Sequence, residues 1–370
     1  MPSLNFAPAF SLISAFSAAP LRPFHTLVRT TEERFRPSRI AVHRAAPGRA
    51  QARMLAAGTA GQHLHATVLH TPGTGRVPTI VLGGFVPDAT EQVFLLRRFL
   101  LRSGDLYCVS YPVTGFSLDV LCAQLDDLVE ELALAGTPPV IFSVSFGAGV
   151  VLEWLRRSRA EGRNPVLAGV ILVSPVSCTA DIIATGAAKP NTLLGRALGP
   201  FLDAKRPATE AAVDKARAIF LRMFEAGAQN KLALRMLMTK TEVERLRNAV
   251  MNTIRDLTSD GARERIAAMQ AMVAPTDYFT PAILPLTTAP TLVLFAEKEE
   301  AVLDAASPGR FAFGRACRAF FPDGETHTVK ARMGGAPVQH ASLIFHVFEF
   351  LPRFQAFYNR VRKGPLPLAA

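Results

Sequence analysis

From Leu64 onward the chain alternates between two hydrophobic rhythms. Short, almost unbroken apolar runs recur as "TIVLGGF", "LYCVSYP", "PVIFSVS", "AGVILVSP" and "APTLVLFAEKEE". Their Val, Ile and Leu content and their length predict strands buried on both faces. Between them stand longer segments with apolar residues three and four apart: "EQVFLLRRFLLRSG", "LDVLCAQLDDLVEELALAG" and "GAGVVLEWLRRSRAEG". These predict amphipathic helices, the first with a glycine stop. Strands alternating with helices make an α/β protein with a mostly parallel, doubly wound sheet covered on both faces.

The alternation stops between Val176 and about Leu286. No buried strand is expected there, only helices such as "AAVDKARAIFLRMFEAGA", "KLALRMLM" and "EVERLRNAVMNTIRDL". The α/β rhythm then resumes and closes with a helix over "HASLIFHVFEFLPRFQAFYNRV", in which His346 is expected to sit and pack. We read one α/β domain over residues 61–370 with a helical insertion at 176–286. Residues 1–60 are rich in Ala, Arg, Pro and Ser and read as a basic, flexible leader with one short strand in "RIAVH".

Composition narrows the class. The chain has 370 residues, 49% hydrophobic and 19% charged, the latter below the roughly 25% of an average soluble protein. No apolar run reaches the ~18 residues of a membrane-spanning helix. More than half of the net charge of +11 comes from the first 60 residues, where eight arginines face two glutamates. The body is only mildly basic, so no nucleic-acid partner is expected; the arginine-rich arm could give weak contact with an anionic membrane surface. The stretch "FAPAFSLISAFSAAP" has the apolar core and small-residue end of a secretion signal, but no Lys or Arg precedes it and Pro8 interrupts it. A cytoplasmic protein is expected, with export the alternative. Cys108, Cys122, Cys178 and Cys317 show neither zinc spacing nor a disulfide framework. No phosphate loop, dinucleotide fingerprint or metal-ligand cluster is present, and no cofactor is expected.

The chemistry concentrates in "IFSVSFGAGVV", where an apolar strand meets Ser143, Ser145, Gly147 and Gly149. A serine between a strand and a helix projects its hydroxyl from a tight turn, and crowding there demands small neighbours. The helix N-terminus also offers free N–H groups to a developing negative charge.

These residues resemble the nucleophile elbow of the α/β-hydrolase fold superfamily, G-x-S-x-G, with Ser143 in place of the first glycine. Further segments are similar to the family in the same order: "TIVLGGF" to its oxyanion loop, "YPVTGFS" to a strand exit, "APTLVLFAEKEEAVL" to the strand before its acid and "VQHAS" to its histidine loop. Together they cover about Thr79 to Arg360. The resemblance implies Ser145 as nucleophile, His340 as base and Glu299 as the acid that orients it. It implies an oxyanion hole from the backbone N–H groups of Phe85 and Phe146, and a cap formed by the insertion. Gly84 and Phe116 fall near the expected substrate pocket. Glu297, Glu300 and Asp304 compete for the acid position, and His327, in the polar loop "DGETHT", for the base. The expected reaction is hydrolysis of a small or medium hydrophobic ester or thioester. The alternatives are an acyltransferase or carbon–carbon bond hydrolase using the same residues, or a non-catalytic binding or scaffold protein.

Overall fold

In the computed structural model, which describes residues 40–43, 48–58, 63–186, 189–202, 208–227, 237–332 and 335–364, the apolar runs pair into one sheet. The elements run β1 Ala41–His43, α1 Arg49–Ala56, β2 Thr67–Thr71, β3 Thr79–Leu82, α2 Ala89–Gln92, α3 Arg97–Ser103, β4 Leu106–Ser110, α4 Leu118–Leu134, β5 Val140–Val144, α5 Phe146–Ala160 and β6 Gly169–Val173. Helices α6 Leu193–Leu198, α7 Glu210–Gly227, α8 Lys240–Arg255 and α9 Ser259–Ala271 follow, with no intervening strand among the described residues. Then come β7 Thr291–Ala296, α10 Pro308–Phe320, β8 Gly324–Val329 and α11 Val347–Lys363.

The eight strands stand in the order β1-β2-β4-β3-β5-β6-β7-β8. Strand β2 pairs antiparallel with β1 and β4, and every other pair is parallel. Every residue of β3, β5, β6 and β7 is buried, which is why these strands read as continuous apolar runs. Helices cover both faces. On one of them Phe354 of α11 packs on Phe142 at 5.1 Å between centroids. From β3 the chain crosses to β4 on one side, and from β5, on the other side of β3, it runs on to β6 and β7 in the opposite direction. Such a switch opens a crevice at the carboxyl ends of the strands.

The structure revises several local expectations. "EQVFLLRRFLLRSG" does not form one helix: Val93 leaves helical geometry at φ −96°, ψ 12°, and tight bonds from Phe94 N to Glu91 O and Leu96 N to Val93 O turn the chain between α2 and α3. The "polar loop" around His327 is the edge strand β8, paired with β7 through Leu294 and His327. Its four consecutive polar residues, Glu325 to Thr328, are only partly buried or exposed, as suits a strand at the edge of the sheet. His346 occupies the N-cap position of α11 rather than the helix interior.

Part of the expected leader belongs to this framework. Strand β1 joins the sheet, and α1 is capped from a distance by Asp127 of α4, whose carboxylate accepts from the amides of Gly48, Ala50 and Gln51 at 3.0, 3.1 and 3.0 Å. The rest of the expected leader, including the secretion-like stretch Phe6–Pro20, and most of "KLALRMLM" lie outside the described residues. All four cysteines are buried and unpaired. Among the described residues no helix is long and apolar enough to cross a membrane.

Candidate active site

Five strand ends meet at the crevice. Ser145 follows β5 with φ 52° and ψ −116°, a backbone region that a serine occupies only when its surroundings impose it. Its amide donates to Val173 O at 2.9 Å, and its carbonyl accepts from Ala148, Gly149 and Val176. The small residues beside it are required by space: a Cβ at Gly147 would lie 2.3 Å from Gly83 O, and one at Gly149 2.0 Å from Val176 O. Ser143 sits within β5 opposite Leu82 and Leu172. Its buried hydroxyl donates to Ile171 O at 3.1 Å, so the departure from glycine is accommodated inside the sheet.

Glu299, on the loop after β7, is fully buried. Its Oε1 accepts from the Ala296 amide at 2.6 Å and from Ser174 Oγ at 2.7 Å, while Oε2 is hydrogen-bonded to His340 Nδ1. His340, on the loop after β8, directs Nε2 to Ser145 Oγ at 2.9 Å. A carboxylate at Nδ1 holds the proton there and leaves the Nε2 lone pair facing the serine hydroxyl. The acid and histidine loops are tied together by the Lys298 amide, which donates to Val338 O at 2.9 Å.

The competing candidates point elsewhere. Glu297 accepts from the Ala331 amide, Asp304 from the Ala306 amide, and Glu300 is exposed. His327 bonds Glu325. His346 contacts Ser342 and Ala336 O, and burial lowers its pKa.

The turn after β3 approaches Ser145 from the other side. A Cβ on Gly84 would stand 3.5 Å from Ser145 Cβ. The Gly84 amide is engaged by Gln92 Oε1 at 3.1 Å, whereas the amides of Phe85 and Phe146 donate to no acceptor among the described residues. The Phe85 and Phe146 rings meet edge to face at 5.7 Å. Phe116 packs behind Phe146 at 5.8 Å and is 4% exposed. Neither it nor Phe146 lines the cavity over Ser145, and Gly84 lines a neighbouring hollow instead.

That cavity has a volume of about 410 Å³ and holds Ser145 and His340 at its floor. The inserted helices build much of its wall through Leu194, Phe220, Met223, Val250 and Ile254. Among the described residues no group of three His, Cys, Asp or Glu side chains is placed to hold a metal ion. Four polar side chains that brace the site escape sequence reasoning: Ser174, Gln92, Tyr111 and Arg265. The only signals were the Ser174–Pro175 strand end and an arginine on an otherwise ordinary helix.

No protein-family model and no curated protein matches the chain. Solved structures do. A bacterial membrane phospholipase A aligns with a TM-score of 0.55 and 12% identity over 97% of this chain and 99% of the other. An esterase from a Rhodococcus species aligns at 0.50 and 17% over 80% and 96%, and an epoxide hydrolase from Bacillus megaterium at 0.51 and 12% over 80% and 97%.

Proposed function

We propose that this chain, an α/β-hydrolase by fold, is a serine hydrolase that cleaves a small or medium hydrophobic carboxylic ester or thioester through an acyl-enzyme on Ser145. The observation that carries the reading is the hydrogen-bonded chain Ser145–His340–Glu299 at the floor of an apolar cavity.

A free hydroxyl is a weak nucleophile and needs a positioned base. His340 Nε2 takes the Ser145 proton as Oγ attacks the substrate carbonyl carbon. The carbonyl oxygen becomes an oxyanion, which the free amides of Phe85 and Phe146 are available to bind. His340 then delivers its proton to the leaving alcohol or thiol as the bond to the acyl carbon breaks. Water attacks the acyl-enzyme with His340 again as base, releasing the carboxylic acid and restoring Ser145. Glu299 keeps the imidazole tautomer and balances the imidazolium charge.

The cavity supports the substrate class. Its volume falls in the ordinary range for small-molecule sites, and Phe and Met side chains on its walls suit an aliphatic or aryl acyl group. In this reading the insertion acts as the cap. A panel of p-nitrophenyl esters and thioesters of increasing acyl length, run on wild type and Ser145→Ala, tests the proposal. Turnover that rises from acetyl to a medium chain and vanishes in the variant supports it; turnover retained in Ser145→Ala overturns it.

A further inference from the structure

Phe85 is gripped from the inserted helices at two points. Its ring stacks on Phe220 of α7, with centroids 6.0 Å apart and planes 11° from parallel. Its carbonyl accepts a 2.7 Å hydrogen bond from Arg265 Nη1 of α9. Through Nη2 the same guanidinium reaches Pro112 O at 3.2 Å, and it lies 5.6 and 5.7 Å from the ring centroids of Phe85 and Tyr111. Helix α9 is seated by contacts of its own. Glu264 accepts from the Phe116 amide at 2.9 Å, and a side chain at Gly261 would meet Val113 O at 1.9 Å.

The remainder of the turn is also held. Tyr111 Oη donates to Gly83 O at 3.0 Å, and Gln92 engages the Gly84 amide. These bonds fix the peptides around Phe85 and leave its own N–H unengaged beside Ser145.

Arg265 is a costly way to fill this space. It is 8% exposed, and no carboxylate pairs with it within salt-bridge distance among the described residues. An aliphatic side chain would fill the volume without burying a charge. What only a planar cation supplies here is two donors directed at two backbone carbonyls on adjoining loops.

We propose that Arg265 is a positioning residue for the oxyanion donor: by holding the Phe85 carbonyl it fixes the tilt of the turn, so that the seating of the inserted helices sets the alignment of the Phe85 amide. The inference rests on the serine-hydrolase reading above.

Arg265→Met keeps volume and removes the donors; Arg265→Lys keeps a cation able to reach one carbonyl. The readouts are kcat, KM and inhibition by an aliphatic trifluoromethyl ketone, whose adduct with Ser145 carries the oxyanion, all normalised to folded protein by thermal melt. Removing a whole oxyanion donor costs on the order of 100-fold. Misalignment is therefore expected to lower kcat and weaken the ketone together by about tenfold in Arg265→Met, with KM within about twofold and Arg265→Lys intermediate. Unchanged kcat and ketone affinity per folded molecule in either variant overturns the inference, and Arg265→Lys decides the matter where Arg265→Met does not fold. A wild type that neither turns over esters nor binds the ketone overturns the serine-hydrolase reading first, which separates the two failures.

Discussion

Ser174 Oγ donates a 2.7 Å hydrogen bond to Glu299 Oε1, and the same hydroxyl accepts from the amide of Ala341, next to His340, at 3.2 Å. One side chain after β6 thus joins the loop after β7 to the loop after β8. Both Ser174 and Ala341 hold positive φ, 46° and 50°, so two uncommon backbone conformations frame the contact. Ser174→Ala keeps the backbone and removes the brace. A buried hydrogen bond to a charged group contributes about 1.5–3 kcal/mol, so kcat is expected to fall by about tenfold or more with KM little changed. Steady-state kinetics check this; an unchanged kcat would mean that the Ala296 amide alone suffices to hold Glu299.

Asp88 and Glu91, at the start of α2, give stability a pH dependence. Burial raises the Asp88 pKa above its ordinary 3.8 and the Glu91 pKa above 4.5, outweighing the hydrogen bonds from Ala89, Ser110 and Thr253 that pull the other way. A raised carboxyl pKa means that the folded state favours the protonated form. Its stabilising contribution is complete below the unfolded pKa and is lost as pH rises through the folded one. Asp88→Asn, neutral at every pH, is expected to flatten the decline in thermal midpoint between about pH 4 and neutrality. Melts that decline as steeply as wild type would contradict this.

Gly147 tests the crowding around Ser145. An alanine Cβ would lie 2.3 Å from Gly83 O, a backbone atom that cannot move without shifting the turn after β3. Overpacking of this kind costs about 1–3 kcal/mol or more. Gly147→Ala is therefore expected to lower the denaturation midpoint and to reduce kcat in the protein that remains folded. A stable variant with full activity would show that the turn yields freely.

The central strands were legible because strands buried on both faces become continuous apolar runs, as in β3, β5, β6 and β7. The edge strand β8 was not: Glu325, Thr326, His327 and Thr328 put polar, partly exposed side chains on both faces and read as a polar loop. Asp127 was equally opaque, since it caps a helix more than seventy residues away in sequence. At the site, Ser145, His340 and Glu299 follow from the resemblance to the α/β-hydrolase motifs, and the structure brings these three into one hydrogen-bonded chain. Phe116 lies near Ser145 in the sequence pattern, but its ring packs into the core against Tyr111 and Phe146 and does not line the cavity. Ser174, Gln92 and Arg265 act through contacts with segments distant in the chain, which leave no local pattern.

The reading of this site as a serine hydrolase stands on whether Ser145 is nucleophilic. The most direct measurement is intact-mass analysis after treatment with an alkyl fluorophosphonate, on wild type, Ser145→Ala and Glu299→Gln. One covalent adduct on wild type, mapped to Ser145, with none on Ser145→Ala and much slower labelling of Glu299→Gln, is the predicted result. Absence of an adduct on folded wild type, or an adduct that persists in Ser145→Ala, would contradict it.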